Sequence, residues 1–416
     1  MRVLIAASNI STRMGGEAVL PFHIIREMRA LGVDCRAVAH ARVRKELSES
    51  EIWDPEKFHF IEDAFAEKAL FRASKLAPPA IRDRVFMSAI AAVTGARIAK
   101  AARWIARNEK VDVIHQPTPV SPKFPSFLTR MPAPVVIGPM NGGMTFPPAF
   151  AKEYGQGSLW AVKAARMLSG AVNRLIPGKI EAAAILVANE RTREALPSVI
   201  DPAKVELIVE NGVDLALWNV ESAGKPENPV FVFVGRLIWL KAVDLLIEAF
   251  AELPANARLL IIGDGPERAR LTEIAGKSPA SARIEFLGFR KQPEIRDIVS
   301  AATALVLPSL HECGGAVILE AFACRTAAIA TDWGGPREYV TPETGYLISP
   351  DSKQGFIDGL ARAMTALAAD RALATRMGEA AHEHVVANFS WAAKAKRMVS
   401  IYEAAIRNTA RPARRT

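Results

Sequence analysis

Short apolar runs recur along this chain, cut off by glycine, proline or charged residues, and several are separated from the next by a stretch of helical spacing. Runs this brief, without polar alternation, suit strands covered on both faces, and the helical stretches between them supply crossovers. The chain is therefore constrained to parallel sheets packed between helices, an α/β doubly wound architecture. In the first half the runs fall at 3–7, 34–39, 111–115, 134–138, 185–189 and 205–209. Between the first two, Gly15-Gly16 precede Val19, Phe22, Ile25, Met28 and Leu31 at helical spacing, and Gly32 ends that helix. In the second half they fall at 230–234, 258–262, 284–287, 304–307 and 327–330.

A chain of 416 residues, half of them apolar, exceeds what one hydrophobic core usually holds, so two domains are expected. Asn211-Gly212 opens a polar, irregular stretch running through Pro226 and Pro229, after which the alternation restarts. The expected division is residues 1–211, residues 212–388, and a last amphipathic helix over 389–416 that ends in a basic tail. The net charge of +9 is spread along the chain, so it does not choose between nucleic acid, an anionic membrane and small anionic ligands. It is densest over 64–110, where Lys68, Arg72, Lys75, Arg82, Arg97 and Arg103 are interleaved with Phe71, Phe86 and Trp104. A solvated helix face over a core accounts for this, and peripheral contact with an anionic membrane is permitted. No apolar run is long enough to span a bilayer, and residues 1–7 read as a first strand rather than a signal peptide. Cys35, Cys313 and Cys324 have no metal-type spacing. They fit a reducing cytoplasm, the expected location, with the inner face of the cell membrane as the alternative, and argue against structural zinc.

The chemistry-bearing residues gather where strands end, the edge at which open α/β sheets bind ligands. After residues 304–307 come Glu312-Cys313-Gly314-Gly315 and then Glu320 on an apolar helix. Carboxylates accept hydroxyl protons, and glycines let the backbone approach phosphate closely. After residues 230–234, Gly235-Arg236 and Lys241 place two cations on one loop, a bidentate guanidinium and a point-charge ammonium able to clamp a diphosphate. In the first half, His115 closes a strand, and Asn141-Gly142-Gly143 form a further glycine loop beside Gly15-Gly16.

Gly235-Arg236 with Lys241, Gly263-Asp264-Gly265-Pro266, Glu312 to Glu320 and Gly334-Gly335-Pro336, in this order and spacing, resemble the retaining glycosyltransferases of family 4. The Gly15-Gly16 loop, His115 and Asn211-Gly212-Val213-Asp214 are similar too. The resemblance implies a GT-B architecture, two facing Rossmann-like domains with a cleft between them, the C-terminal domain holding a nucleotide-sugar donor and the last helix returning to the first domain. By the same similarity Glu320 would hold ribose hydroxyls, Glu312 the hydroxyls of the transferred sugar, and Arg236 with Lys241 the diphosphate. Gly15, Gly16, Gly314 and Gly315 would lie along the donor, His115 would approach its sugar, and Asn141, Gly142 and Gly143 would form a neighbouring loop. The implied reaction moves a hexosyl unit to a hydroxyl of a glycan or lipid-linked glycan with retention, and needs neither a metal nor a cofactor. Nucleic acid is not an expected partner. A nucleotide-sugar epimerase or hydrolase of the same fold, and a non-catalytic nucleotide-binding membrane adaptor, are the alternatives. Ala242 and Arg325 stand where the family usually has glycine. A positive φ at Arg325 would cost roughly 1 kcal/mol.

Overall fold

The computed structural model describes residues 1–14, 16–78, 82–151, 169–221 and 224–410. By its own contacts the chain separates into two units, Met1–Gly143 with Ser158–Glu210 and Ala395–Thr416, and Met144–Gly157 with Asn211–Lys394. Two segments fall differently from the division expected above. Residues 144–157 group with the second unit, and the last helix, Trp391–Ala410, has its first residues counted there and the rest, from Ala395, in the first.

The first unit holds a parallel sheet of seven strands: β1 (Arg2–Ala6), β2 (Asp34–His40), β3 (Phe58–Ile61), β4 (Val113–Gln116), β5 (Val135–Met140), β6 (Ala184–Val187) and β7 (Val205–Leu207), in the order β3-β2-β1-β4-β5-β6-β7. The apolar runs become its centre, with Leu4, Ile114, Ile137 and Ile185 buried. The helix Met87–Asn108 closes one face by burying Ile98, Ala102, Ile105 and Ala106, a stripe at helical spacing.

The second unit holds six parallel strands: β8 (Val230–Val234), β9 (Arg258–Ile262), β10 (Ile284–Gly288), β11 (Ala304–Leu307), β12 (Ala327–Thr331) and β13 (Gly345–Ile348), ordered β10-β9-β8-β11-β12-β13. Phe231, Phe233, Leu259, Leu305 and Ile329 are fully buried between helices that include Val243–Phe250 and Ala316–Ala323. In each sheet the winding reverses once, between β1 and β4 and between β8 and β11. These are the positions where the loops after two neighbouring strands diverge and leave a crevice for a ligand. Among the described residues, no helix is long and apolar enough to cross a membrane.

Candidate functional site

In the second unit the loops leaving β8, β9, β11 and β12 are fastened to one another by backbone bonds. Gly235 N–H donates to Ile262 O at 3.0 Å and Leu237 N–H to Asp264 O at 2.9 Å. Gly263 has φ +129°, and a Cβ there would lie 1.9 Å from Gly235 O, so only glycine lets the β8 and β9 loops meet this closely. Leu310 N–H donates to Leu240 O at 3.0 Å, drawing the β11 loop onto the β8 loop, and Gly335 N–H donates to Glu312 O at 2.8 Å.

This framework sets the charged side chains. Leu237 is fully buried, which leaves the preceding Arg236 exposed. Among the described residues its guanidinium has neither an ion pair nor a hydrogen bond. Beyond it a short turn, Trp239–Lys241, leads through Ala242 in the left-handed region (φ 47°) into the helix Val243–Phe250. The Lys241 ammonium forms an ion pair and hydrogen bond with the Glu312 carboxylate, joining the two loops across the β8/β11 switch point. Gly314 is buried, and Gly315, at φ 77°, caps the helix Ala316–Ala323. Glu320 lies on that helix, half-buried, and desolvation pushes its carboxyl up to about 7. Arg236, Lys241, Glu312, Gly314, Gly315 and Glu320 thus share one unit and one edge of its sheet.

Sequence reasoning missed an aromatic cluster on the same edge. The Phe146 ring stacks on Trp239 with centroids 5.7 Å apart and lies 5.0 Å from His311, while Trp333 Nε1–H donates to Thr145 O at 2.8 Å. The residues around Phe146 carry no periodicity that would have signalled this packing.

In the first unit Gly16 is exposed after β1, and Gly15 lies outside the described residues. Asn141 donates to Glu210 and accepts from Arg191 Nη2 at 3.0 Å, while Gly142 N–H donates to Thr192 Oγ1 at 3.0 Å. The Asn141-Gly142-Gly143 loop is thereby held to the residues that follow β6. His115 differs from expectation. It is fully buried in β4, its Nε2–H donates to Gly138 O at 2.6 Å, and its Nδ1 accepts from the Tyr402 hydroxyl at 2.6 Å. The carbonyl can only accept, which fixes the proton on Nε2, and burial pushes the imidazole down to about 4. With both nitrogens engaged in the core, His115 presents no face to a sugar and serves as a structural tie.

Among the described residues one trio, His40, Asp63 and Glu67, has ligand-type atoms within 4.8 Å of one another. Arg97 Nη1 already donates to Glu67 Oε2 at 2.6 Å, so a resident cation neutralises that group.

Residues 218–384 match the family model of the glycosyl transferases group 1. The α-maltose-1-phosphate synthase of Mycolicibacterium smegmatis is 33% identical over 223 residues, 49% of this chain and 57% of that protein. The lipopolysaccharide core biosynthesis glycosyltransferase LpsE of Rhizobium meliloti is 36% identical over 165 residues, 39% of this chain and 46% of that protein. The chain spans about half the length of the curated relatives it matches. The crystal structure of Anabaena Alr3699/HepE in complex with UDP superposes with a TM-score of 0.65 and 18% identity, covering 97% of this chain and all of that one. That likeness shows the fold: two Rossmann-like α/β units of the GT-B kind.

Proposed function

We propose that this chain, a member of the glycosyl transferases group 1 through its residues 218–384, moves a hexosyl unit from a nucleoside diphosphate sugar to a hydroxyl acceptor with retention at the anomeric carbon. The observation that carries the reading is the Lys241–Glu312 pair spanning the β8/β11 switch point, with the exposed Arg236 on the same loop. A donor diphosphate entering there meets both cations, and the Glu312 carboxylate released from Lys241 is left to accept hydroxyl protons of the sugar. As the glycosidic bond lengthens, negative charge gathers on the departing phosphate oxygen. Arg236, Lys241 and the N–H groups of the glycine loops then stabilise it more strongly than they do the ground state. The scheme needs no metal or cofactor, since the two cations neutralise the leaving group. The UDP in the Anabaena structure makes uridine nucleotides the first donors to try.

The acceptor is read as a glycan or lipid-linked glycan at the cytoplasmic face of the membrane. Support comes from the helix Phe65–Ser74 and the turn after it, where Phe65, Phe71 and Leu76 are 85%, 53% and 91% exposed beside the exposed Lys68, Arg72 and Lys75. Apolar side chains amid cations suit an anionic lipid surface.

The test is turnover of Arg236→Ala and Lys241→Ala on a panel of nucleotide-sugars, with product resolved into free sugar and elongated acceptor. Each substitution is expected to lower transfer by about 10²–10³-fold; the melting temperature should be unchanged in Arg236→Ala and lowered in Lys241→Ala, which leaves the largely buried Glu312 carboxylate without its cation. Near-normal transfer by either variant overturns the clamp, and free sugar as sole product favours the hydrolase reading.

A further inference from the structure

A groove of about 510 Å³ runs along the outer edge of the second unit's sheet, between β13 and the helix Lys353–Ala369. None of the residues assigned to the donor lines it. We propose that this groove binds an uncharged stretch of glycan longer than one sugar ring. The ligand class rests on the groove alone; calling that glycan the acceptor chain rests on the transferase reading above.

The groove follows from how the strand and helix meet. β13 is the last strand of its sheet, so its outer side has no neighbouring strand. A Cβ on Gly359 would stand 2.5 Å from Ile348 Cγ2, so glycine is what lets the helix lie against β13 here. Tyr346 is two residues from Ile348 and shares its face of the sheet, which brings the half-buried Tyr346 ring alongside the helix as a wall of the groove. Thr344 O and Ile348 O accept from Ala328 N–H at 3.3 Å and Asp332 N–H at 2.8 Å. By the alternation of a parallel ladder, Leu347 therefore turns its N–H and C=O away from β12 toward the open edge.

Two charges complete the lining. Asp351 stands where β13 gives way to the helix, and Arg362 lies further along the helix; both are exposed. A Cβ on Gly359 would be 3.9 Å from Arg362 Nη2, so the guanidinium lies over the floor of the groove. Among the described residues neither Asp351 nor Arg362 has an ion pair, and the Tyr346 hydroxyl has no hydrogen-bond partner. This pair of charges selects the ligand. An anion is repelled by Asp351 and a cation by Arg362, whereas sugar hydroxyls donate to the carboxylate and accept from the guanidinium. The C–H face of a sugar ring packs on Tyr346 while its hydroxyls meet the polar groups around it. The volume falls within the roughly 300–1,000 Å³ of small-molecule sites and exceeds what a single ring fills. An added peptide strand is served less well. Gly345 N–H already donates to Thr341 O at 3.1 Å, so within β13 Leu347 alone offers both an outward N–H and an outward C=O, too few for a ladder. A glycan held here lies two strands from β11, in the same unit as Glu312, and its free end is concentrated near the donor edge.

The experiment is saturation-transfer NMR titration of the full chain with maltotriose, cellotriose and mannotriose, and with trigalacturonate and tetra-alanine as comparators, for the wild type, Asp351→Ala and Arg362→Ala. Both side chains are exposed and unpaired, so the variants keep the fold, which matching thermal melts verify. Saturable binding of at least one neutral trisaccharide is expected, weakened about tenfold or more in each variant, because each loses a hydrogen bond to a charged group. Tighter binding of trigalacturonate overturns the uncharged ligand, and tetra-alanine binding that the variants weaken, without trisaccharide binding, makes the edge a peptide site instead. Trisaccharide affinity unaltered in both variants, or no trisaccharide bound at all, overturns the groove. Nucleotide-sugar turnover is measured on the same preparations. Its absence with trisaccharide binding intact sinks the transferase reading and the acceptor role but leaves the groove, and the reverse result sinks this inference alone.

Discussion

The Tyr402 hydroxyl donates to His115 Nδ1 at 2.6 Å across 287 residues of sequence, and the same ring donates through Nε2 to Gly138 O. One neutral imidazole thus links the last helix, β4 and β5, and its buried surroundings hold it uncharged. Protonating it would reverse the Tyr402 bond, because Nδ1 would become a donor and the hydroxyl, turned to accept, would have to place its own proton in the core.

Acid stability follows from this arrangement. His115 is pushed down to about 4 in the folded chain, while in the unfolded chain it titrates near its ordinary 6.5. Between those values the unfolded state binds a proton that the folded state refuses, so stability falls as pH drops through the window. The full effect is roughly 3 kcal/mol. Urea midpoints at pH 7 and pH 5 read about 2 kcal/mol of it, the remainder falling below pH 5. Burial also lowers His40, His382 and His384, so the component belonging to His115 is the difference in pH slope between wild type and His115→Gln. Equal slopes would show that His115 is reached by protons in the folded state.

Tyr402→Phe removes the donor and leaves Nδ1 buried and unsatisfied. A loss of about 1–3 kcal/mol is expected in urea unfolding. Nucleotide-sugar affinity should not change, because the hydroxyl lies in the first unit and the proposed donor residues in the second. A several-fold change in that affinity would return His115 to the donor site.

At Arg325 the left-handed backbone expected from sequence is present, with φ at 56°. The side chain offsets the strain: its Nη1 pairs with Glu379 and its Nε donates to Val220 O at 3.3 Å. Arg325→Gly and Arg325→Ala both lose these bonds and differ mainly in tolerance for positive φ. The glycine variant is expected to be more stable than the alanine variant by about 1 kcal/mol, read from paired denaturation curves. Equal stabilities would place the cost of this turn elsewhere.

What could be read in advance was local. The apolar runs at 230–234, 258–262 and 304–307 became β8, β9 and β11 because full burial on both faces demands uniformly apolar strands, and their loops carry the cations and carboxylates where expected. β3 went unread because Phe58-His59-Phe60-Ile61 is too short and mixed to stand out, and β13 because Gly345 and Tyr346 blur its pattern. The pairing of Lys241 with Glu312 depends on the β8 and β11 loops being drawn together through Leu240 and Leu310, a contact that spacing does not encode. His115 looked available because it ends an apolar run before prolines. Its partner Tyr402 is too distant in sequence for any local pattern to reveal that the ring is spoken for.

Glu320 gives the sharpest expectation for ligand binding. Its carboxyl is raised to about 7 by desolvation, so at pH 6 roughly a tenth of the protein carries the carboxylate and at pH 8 roughly nine tenths. Ribose hydroxyls donate to a carboxylate better than to a neutral acid, so binding that uses Glu320 selects the ionised form and tightens as pH rises. The expected gain from pH 6 to pH 8 is up to about tenfold, centred near 7. An intact nucleotide-sugar is the right ligand for the titration, because a free nucleoside diphosphate has a terminal phosphate of its own that ionises near 6. Glu320→Gln should bind weakly at every pH and give a flat profile. If the wild type is equally flat, Glu320 is a helix residue whose carboxyl never meets the nucleotide, and recognition of the ribose must lie with other groups on the β11 edge.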